Sequence, residues 1–166
     1  MILVTGGSGY VGSHIVRRLA KAAKPVRALV RDRSRAEREG RLHRLPVEWL
    51  VGDVLQPDTL SPAMAGVKAV VHTVAIAIEK GSHSYEEVNF QGTVNVVEAA
   101  ETAGVSRFIL LSQLGASADL PYRFLASKGR AEDYVSASGL EWTALRPGTW
   151  WLPDNGRMVL RGTDNR

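Results

Sequence analysis

The chain has no cysteine among its 166 residues, which leaves neither a disulfide framework nor thiolate chemistry. Its four histidines, His14, His43, His72 and His83, are scattered without metal-ligand spacing, so no metal site is expected. No apolar run reaches the ~18 residues of a membrane span, and the opening "MILV" has no basic leader before Thr5-Gly6. A cytoplasmic protein without a membrane partner is therefore expected. Acidic residues are scarce in one place: residues 17–44 hold eleven Lys/Arg against three Asp/Glu, a local +8 within an overall +4. Helix-turn-helix patterning, zinc spacing and an aromatic-rich RNA-binding strand are all missing beside that segment, so nucleic acid is not expected as a partner. The basic segment reads as a solvated helix face next to one anionic ligand.

What remains is an ordinary globular composition, 45% hydrophobic and 23% charged, sufficient for one domain with a core. Short β-branched runs alternate with longer amphipathic segments, the pattern of βαβ units. The spacing predicts strands at 1–5, 26–31, 47–51, 68–75, 106–112 and 141–145, with helices at 11–23, 34–42, 57–64, 84–103 and 123–138. Runs such as "AVVHTVAI" and "RFILLS" are nearly continuous in apolar residues, as in a parallel sheet covered on both faces. The expected architecture is an α/β, three-layer, doubly wound parallel sheet of Rossmann type in strand order 3-2-1-4-5-6. Ligands of such sheets bind beyond the C-terminal strand ends. Residues 1–150 are expected to form this domain, and 151–166 to begin an incomplete substrate-side region.

"VTGGSGYVGSHIVRRLA" leaves a strand, turns through Gly6, Gly9 and Gly12, and opens a helix with Val11, Ile15 and Leu19 on one side. Such glycines permit a tight turn and close approach of the backbone to a pyrophosphate, which the helix N-terminus attracts. Gly6, Gly7, Ser8, Gly9, Tyr10, Val11 and Gly12 are the candidate phosphate loop. An acid past the second strand binds the ribose 2′-OH of NAD, whereas arginine pairs with the 2′-phosphate of NADP. Asp32 has the first position, but Arg31, Arg33 and Arg35 surround it. NADP(H) is preferred on that ground, with NAD(H) the alternative.

These residues resemble the short-chain dehydrogenase/reductase superfamily, in particular its extended and atypical NAD(P)-binding members related to nucleotide-sugar epimerases. "TGGSGYVG" matches the TGxxGxxG loop of that superfamily, and "GDVLQPDTL" its segment after the third strand. The resemblance implies that Asp53 meets the adenine and Val54 flanks it, and that Thr73, Val74 and Ala75 in "VVHTVA" line the cofactor. "VNFQGTVNVVEAAETAGVSRFILLS" is similar to the family's approach to the fifth strand, including Asn89, Gly92, Thr93 and Asn95. Arg146-Pro147-Gly148 would lie near the nicotinamide, with Pro147 as a cofactor contact, and Trp150 and Trp151 beyond it. Relatives of this type also suggest a homodimer through the helices at 84–103 and 123–138.

The family's chemistry uses a Tyr as proton donor, a Lys four residues later that holds the nicotinamide ribose, and a Ser that binds the substrate oxygen. Lys128 in "SKGRAED" matches the lysine, but position 124 is Phe, and Gln113 stands at the usual serine with Ser112 one residue earlier. Tyr122 is six residues before Lys128, which on a helix at about 100° per residue sets them roughly 240° apart. The catalytic candidates are accordingly Lys128, Ser112, Gln113 and Tyr122, with Tyr122 able to reach the pocket if the helix begins at or after Arg123. The resemblance implies an NADPH-dependent oxidoreductase on a small carbonyl or quinone-like compound. The alternatives are an NADP(H)-holding sensor or assembly protein, and a nucleotide-sugar epimerase or dehydratase.

Overall fold

The computed structural model describes residues 1–38 and 45–148, apart from the side chains of Arg35, Glu37 and Arg38. Strands β1 (Ile2–Thr5), β2 (Val26–Val30), β3 (Glu48–Val51), β4 (Ala69–His72), β5 (Arg107–Leu111) and β6 (Glu141–Leu145) form one parallel sheet in the order β3-β2-β1-β4-β5-β6. Helices α1 (Tyr10–Lys21), α2 (Arg33–Arg38), α3 (Leu60–Met64), α4 (Gly92–Thr102) and α5 (Arg123–Ala137) connect them. The Rossmann expectation holds, strand order included. The expected end of the second helix at 42, the Trp150-Trp151 pair and the segment from 151 lie outside the described residues, as does the side chain of Arg35.

Alternation along the strands builds the three layers. Leu3 and Val4 are both fully buried, yet Leu3 joins Val70, Phe108, Leu110, Val96 and Ala131 while Val4 joins Val16, Ala20, Val26 and Ala28. Helix α1 covers the second of these clusters. It does so through Gly12, Ser13, Val16 and Ala20, whereas Val11, Ile15 and Leu19 are only half-buried. The expected stripe is thus turned aside, because small residues let the helix axis approach the sheet and leave the larger ones to flank the contact. Arg27 is a buried cation in β2, and it is matched accordingly: its Nη1 donates to the carbonyls of Ala63 and Ala65 at 2.6 and 2.8 Å, and its Nη2 pairs with Glu48 at 2.9 Å. This fastens the end of α3, whose last carbonyls lack helical partners.

Two further boundaries differ from expectation. Strand β4 stops at His72 rather than 75, since Thr73 turns its hydroxyl back onto the Thr5 carbonyl at 2.7 Å and the chain leaves the sheet. The long helix expected at 84–103 begins as a π turn, Glu86–Gln91, before α4 proper. Such wide turns insert a residue into the helical ladder and re-aim the side chains around them. From β1 the chain winds one way to β2 and β3 and the other way to β4, β5 and β6, so a crevice opens between the C-terminal ends of β1 and β4.

Candidate functional site

The loop Gly6–Gly9 crosses that crevice. Gly9 caps α1 and donates its N–H to Gly6 O at 2.9 Å, and no side chain caps the helix or places an acid in its first turn. The N-terminal N–H groups and their partial positive charge therefore face an opening that a phosphate can fill. Gly12 explains how closely loop and helix are wound: a Cβ there would lie 2.1 Å from Gly6 O. Gly7 faces away from the opening, with its N–H on Leu29 O at 3.2 Å, and Tyr10 and Val11 form the first turn of α1.

A cavity runs from this loop along the strand ends. Its walls are Gly6, Ser8 and Gly9, then Leu29 and Val30 at the end of β2 and Arg31 after it, Gly52 to Leu55 after β3, Thr73 to Ile76 after β4, and His83 and Val88. Of the residues singled out from the sequence, Gly6, Ser8, Gly9, Arg31, Asp53, Val54, Thr73, Val74 and Ala75 share it. Asp32, Arg33, Lys128 and Pro147 are not among its walls; Asp32 and Arg33 lead into α2, and Pro147 O accepts from Leu114 N at 2.9 Å. Leu29, Val30, Gly52, Leu55, Ile76, His83 and Val88 were missed. Gly52 and Leu55 adjoin a recognised motif, but nothing in the spacing of His83 signals its place.

Helix α4 and its π turn anchor the cavity walls. The Asn89 amide accepts from Ile76 N at 2.8 Å and donates to Ile76 O at 3.1 Å, holding the segment after β4. Asn95 donates to Val54 O at 2.8 Å and so holds the segment after β3. Between them, Thr93 donates to Asn89 O at 2.8 Å and stands 3.1 Å from His72 Nε2. Its only hydroxyl hydrogen being used, Thr93 Oγ1 must accept from Nε2–H, which leaves Nδ1 of His72 to accept from the Thr5 hydroxyl at 2.7 Å. The imidazole is fully buried, and desolvation, assisted by the nearby Lys128 charge, lowers its pKa to about 3. His72 is a neutral, fixed tautomer tying β1 to α4.

The β5 side is built differently. Strand β5 ends at Leu111, so Ser112 already lies beyond the alternation of the strand; it is buried and its Oγ has no hydrogen-bond partner. Gln113 is half-buried and opens a turn through Ala116 N to Gln113 O at 3.1 Å. Lys128, 2% exposed, donates from Nζ to Leu111 O at 2.7 Å. Burial lowers its pKa to about 8 against the opposing pull of Glu132, a carboxylate also gripped by Arg146 through Nε, at 2.9 and 3.0 Å, and through Nη2. Helix α5 does begin at Arg123, yet Tyr122 remains 70% exposed at its cap and does not border the cavity. At 124, Phe meets the ring of Tyr85 edge-on, with centroids 5.5 Å apart.

A model of an NAD(P)H-binding family matches residues 6–165. The chain belongs to this NAD(P)H-binding family. Its curated relatives include an NAD(P)H azoreductase of Xenophilus azovorans, 34% identical over 148 residues that cover 89% of this chain and 48% of the azoreductase. Another is the photosystem II assembly factor Ycf39 of Guillardia theta, 31% identical over 145 residues covering 87% of this chain and 45% of that factor. The chain thus spans about half the length of these curated relatives. Among solved structures, a short-chain dehydrogenase/reductase superfamily protein from Agrobacterium tumefaciens with bound NAD is 28% identical and superposes with a TM-score of 0.69, over 88% of this chain and 48% of that one. For an NAD(P)H-binding family member the glycine loop, the helix N-terminus without a side-chain cap and the crevice at the strand-order reversal are all in place. Among the described residues no helix is long and apolar enough to cross a membrane, and no cluster of His, Asp or Glu is suited to a metal.

Proposed function

We propose that the chain is the cofactor-binding part of an NADPH-dependent oxidoreductase acting on a small carbonyl or quinone-like compound. The carrying observation is Lys128. Burying an amine is costly, and this one is held on the last carbonyl of β5 with its pKa lowered to about 8, next in the chain to Ser112, whose buried hydroxyl lacks a partner. The residues fit a dinucleotide: the cradle at Gly12 has no room for a Cβ, and the α1 N-terminus lacks a side-chain cap. Bound there, the nicotinamide supplies hydride. Gly6 to Gly9 bind the pyrophosphate, Asp53 and Val54 the adenine end, and Thr73 to Ala75 the side below the ring, while Lys128 holds the nicotinamide ribose and Pro147 completes the wall. Ser112 and Gln113 orient the acceptor oxygen, and the exposed Tyr122 serves only if α5 shifts.

Arg31, on the cavity wall, and Arg33 select the 2′-phosphate of NADP over the Asp32 preference for NAD. With Phe at 124, acceptors whose reduced product is a stable anion needing little proton donation, such as quinones, suit the site better than simple ketones. Steady-state NADPH oxidation against a panel of quinones, azo dyes and carbonyl compounds tests this. Tight NADPH binding with no oxidation by any acceptor would sink it. That outcome favours the second reading, an NADP(H)-holding sensor or assembly protein, which the Phe124 and Gln113 replacements and the likeness to Ycf39 support. Epimerase or dehydratase chemistry is the least suited, since it leans on the missing tyrosine. A homodimer through α4 and α5 and a cytoplasmic setting belong to the same proposal.

A further inference from the structure

We infer that His83 is a direct contact for the pyrophosphate of the dinucleotide, presented by the closed loop 76–85; this rests on the dinucleotide reading above. The loop is a built structure. Lys80 and His83 exchange both backbone hydrogen bonds, at 3.3 and 3.2 Å. Tyr85 donates its N–H to Glu79 Oε1 at 2.8 Å and its hydroxyl to Ala77 O at 2.9 Å, and Glu79 is in turn paired with Arg123 at 2.8 Å. At the loop's start, both backbone groups of Ile76 are held by the Asn89 amide. These ties fix the segment that carries His83, which lines the same cavity as Gly6, Ser8 and Gly9.

The charged and imidazole side chains of that cavity make the assignment. Its basic side chains are Arg31 and His83, and its one acid is Asp53, whose Oδ1 already accepts from Leu55 N at 3.0 Å. Arg31 follows β2, where the adenosine ribose belongs. The glycine loop offers the diphosphate backbone N–H groups and a helix end but no cationic or imidazole donor of its own. His83 supplies that donor from across the cavity, and a ring N–H can serve in either protonation state.

Calorimetric titration of the intact chain with ADP and with adenosine separates a pyrophosphate contact from a wall contact. His83→Ala is expected to weaken ADP by about 3- to 10-fold while leaving adenosine unchanged, and His83→Lys to recover most of the loss. Unchanged ADP affinity in His83→Ala overturns the inference, as does equal weakening of ADP and adenosine, or a His83→Lys variant no better than His83→Ala. Circular dichroism of each variant, together with His83→Gln, which keeps a donor, guards against a folding effect: loss confined to misfolded variants counts against the contact. Failure of ADP, NADPH and NADH all to bind the unaltered chain would instead remove the dinucleotide reading itself.

Discussion

The two halves of the sheet are finished in different ways. On the β1 to β4 side the cavity is framed by main-chain features: a glycine loop, a helix end, and strand-end segments whose backbone is held by Asn89 and Asn95. On the β5 side the features that matter are single side chains, and there the expected tyrosine is Phe124, the serine is Gln113, and Lys128 stands alone on a carbonyl. Binding geometry assembled from main chain survives most substitutions, whereas chemistry that rests on one hydroxyl is lost by one change. On the proposed reading, the contrast explains how a chain can keep its glycine loop while the residues at the expected catalytic positions change.

The severest way to break the comparison is at the cradle. Gly12→Val drives a side chain into Gly6 O, and dinucleotide affinity should fall by about two orders of magnitude, read by NADPH fluorescence titration. Lys128→Met should do the opposite to stability. The folded pKa of Lys128, about 8, lies below the ordinary 10.5, so between those values the unfolded chain holds a proton that the folded chain has released, and stability rises with pH across that window. Below pH 8 the full cost of the buried charge is present. The methionine variant should therefore be more stable at pH 7, on the order of 2 kcal/mol after loss of the bond to Leu111 O, and should lack the rise between pH 8 and 10.5 in urea unfolding. A destabilised variant would show the amine to be structural.

Phe124→Tyr sharpens the reaction side. A phenol four residues before Lys128 should raise turnover of carbonyl acceptors by about 10- to 100-fold while leaving quinone reduction little changed, measured as NADPH oxidation. Equal gains on both acceptors would mean that proton supply was not the missing element. The smallest effect is expected at the outer end of the cavity, where Arg31→Ala should lower the preference for NADP over NAD by about 3- to 10-fold in competitive titration. An unchanged ratio would return the choice to Asp32.

Legibility in the sequence divides along the same line. Strand order and the cradle could be read because βαβ alternation and glycines between a strand and a helix have few structural solutions. The face of α1 could not, since hydropathy marks Val11, Ile15 and Leu19 while the sheet contact is chosen by the smallness of Gly12 and Ala20. Nor could Gly129, where a Cβ would come within 2.2 Å of the Ser117 backbone: that close approach joins residues distant in sequence and leaves no local pattern. The same holds for His72, which reads as one more apolar-strand position until Thr5 and Thr93 are seen on either side of it. The π turn is invisible to a helical period, yet it helps set where Asn89 points.

The assigned protons of the Thr5, His72 and Thr93 series give it a sense of direction. Each hydrogen points from β1 toward α4 and ends on the Asn89 carbonyl, so the bonds align head to tail like the peptide units of a helix. Thr5 stands at the tail of that row with its own hydrogen already given to the imidazole. Its remaining lone pairs can only receive, and a phosphate oxygen nearby would find repulsion there. The hydroxyl next to the glycines is thus barred from gripping an anion, and that task falls to the N–H groups that follow it.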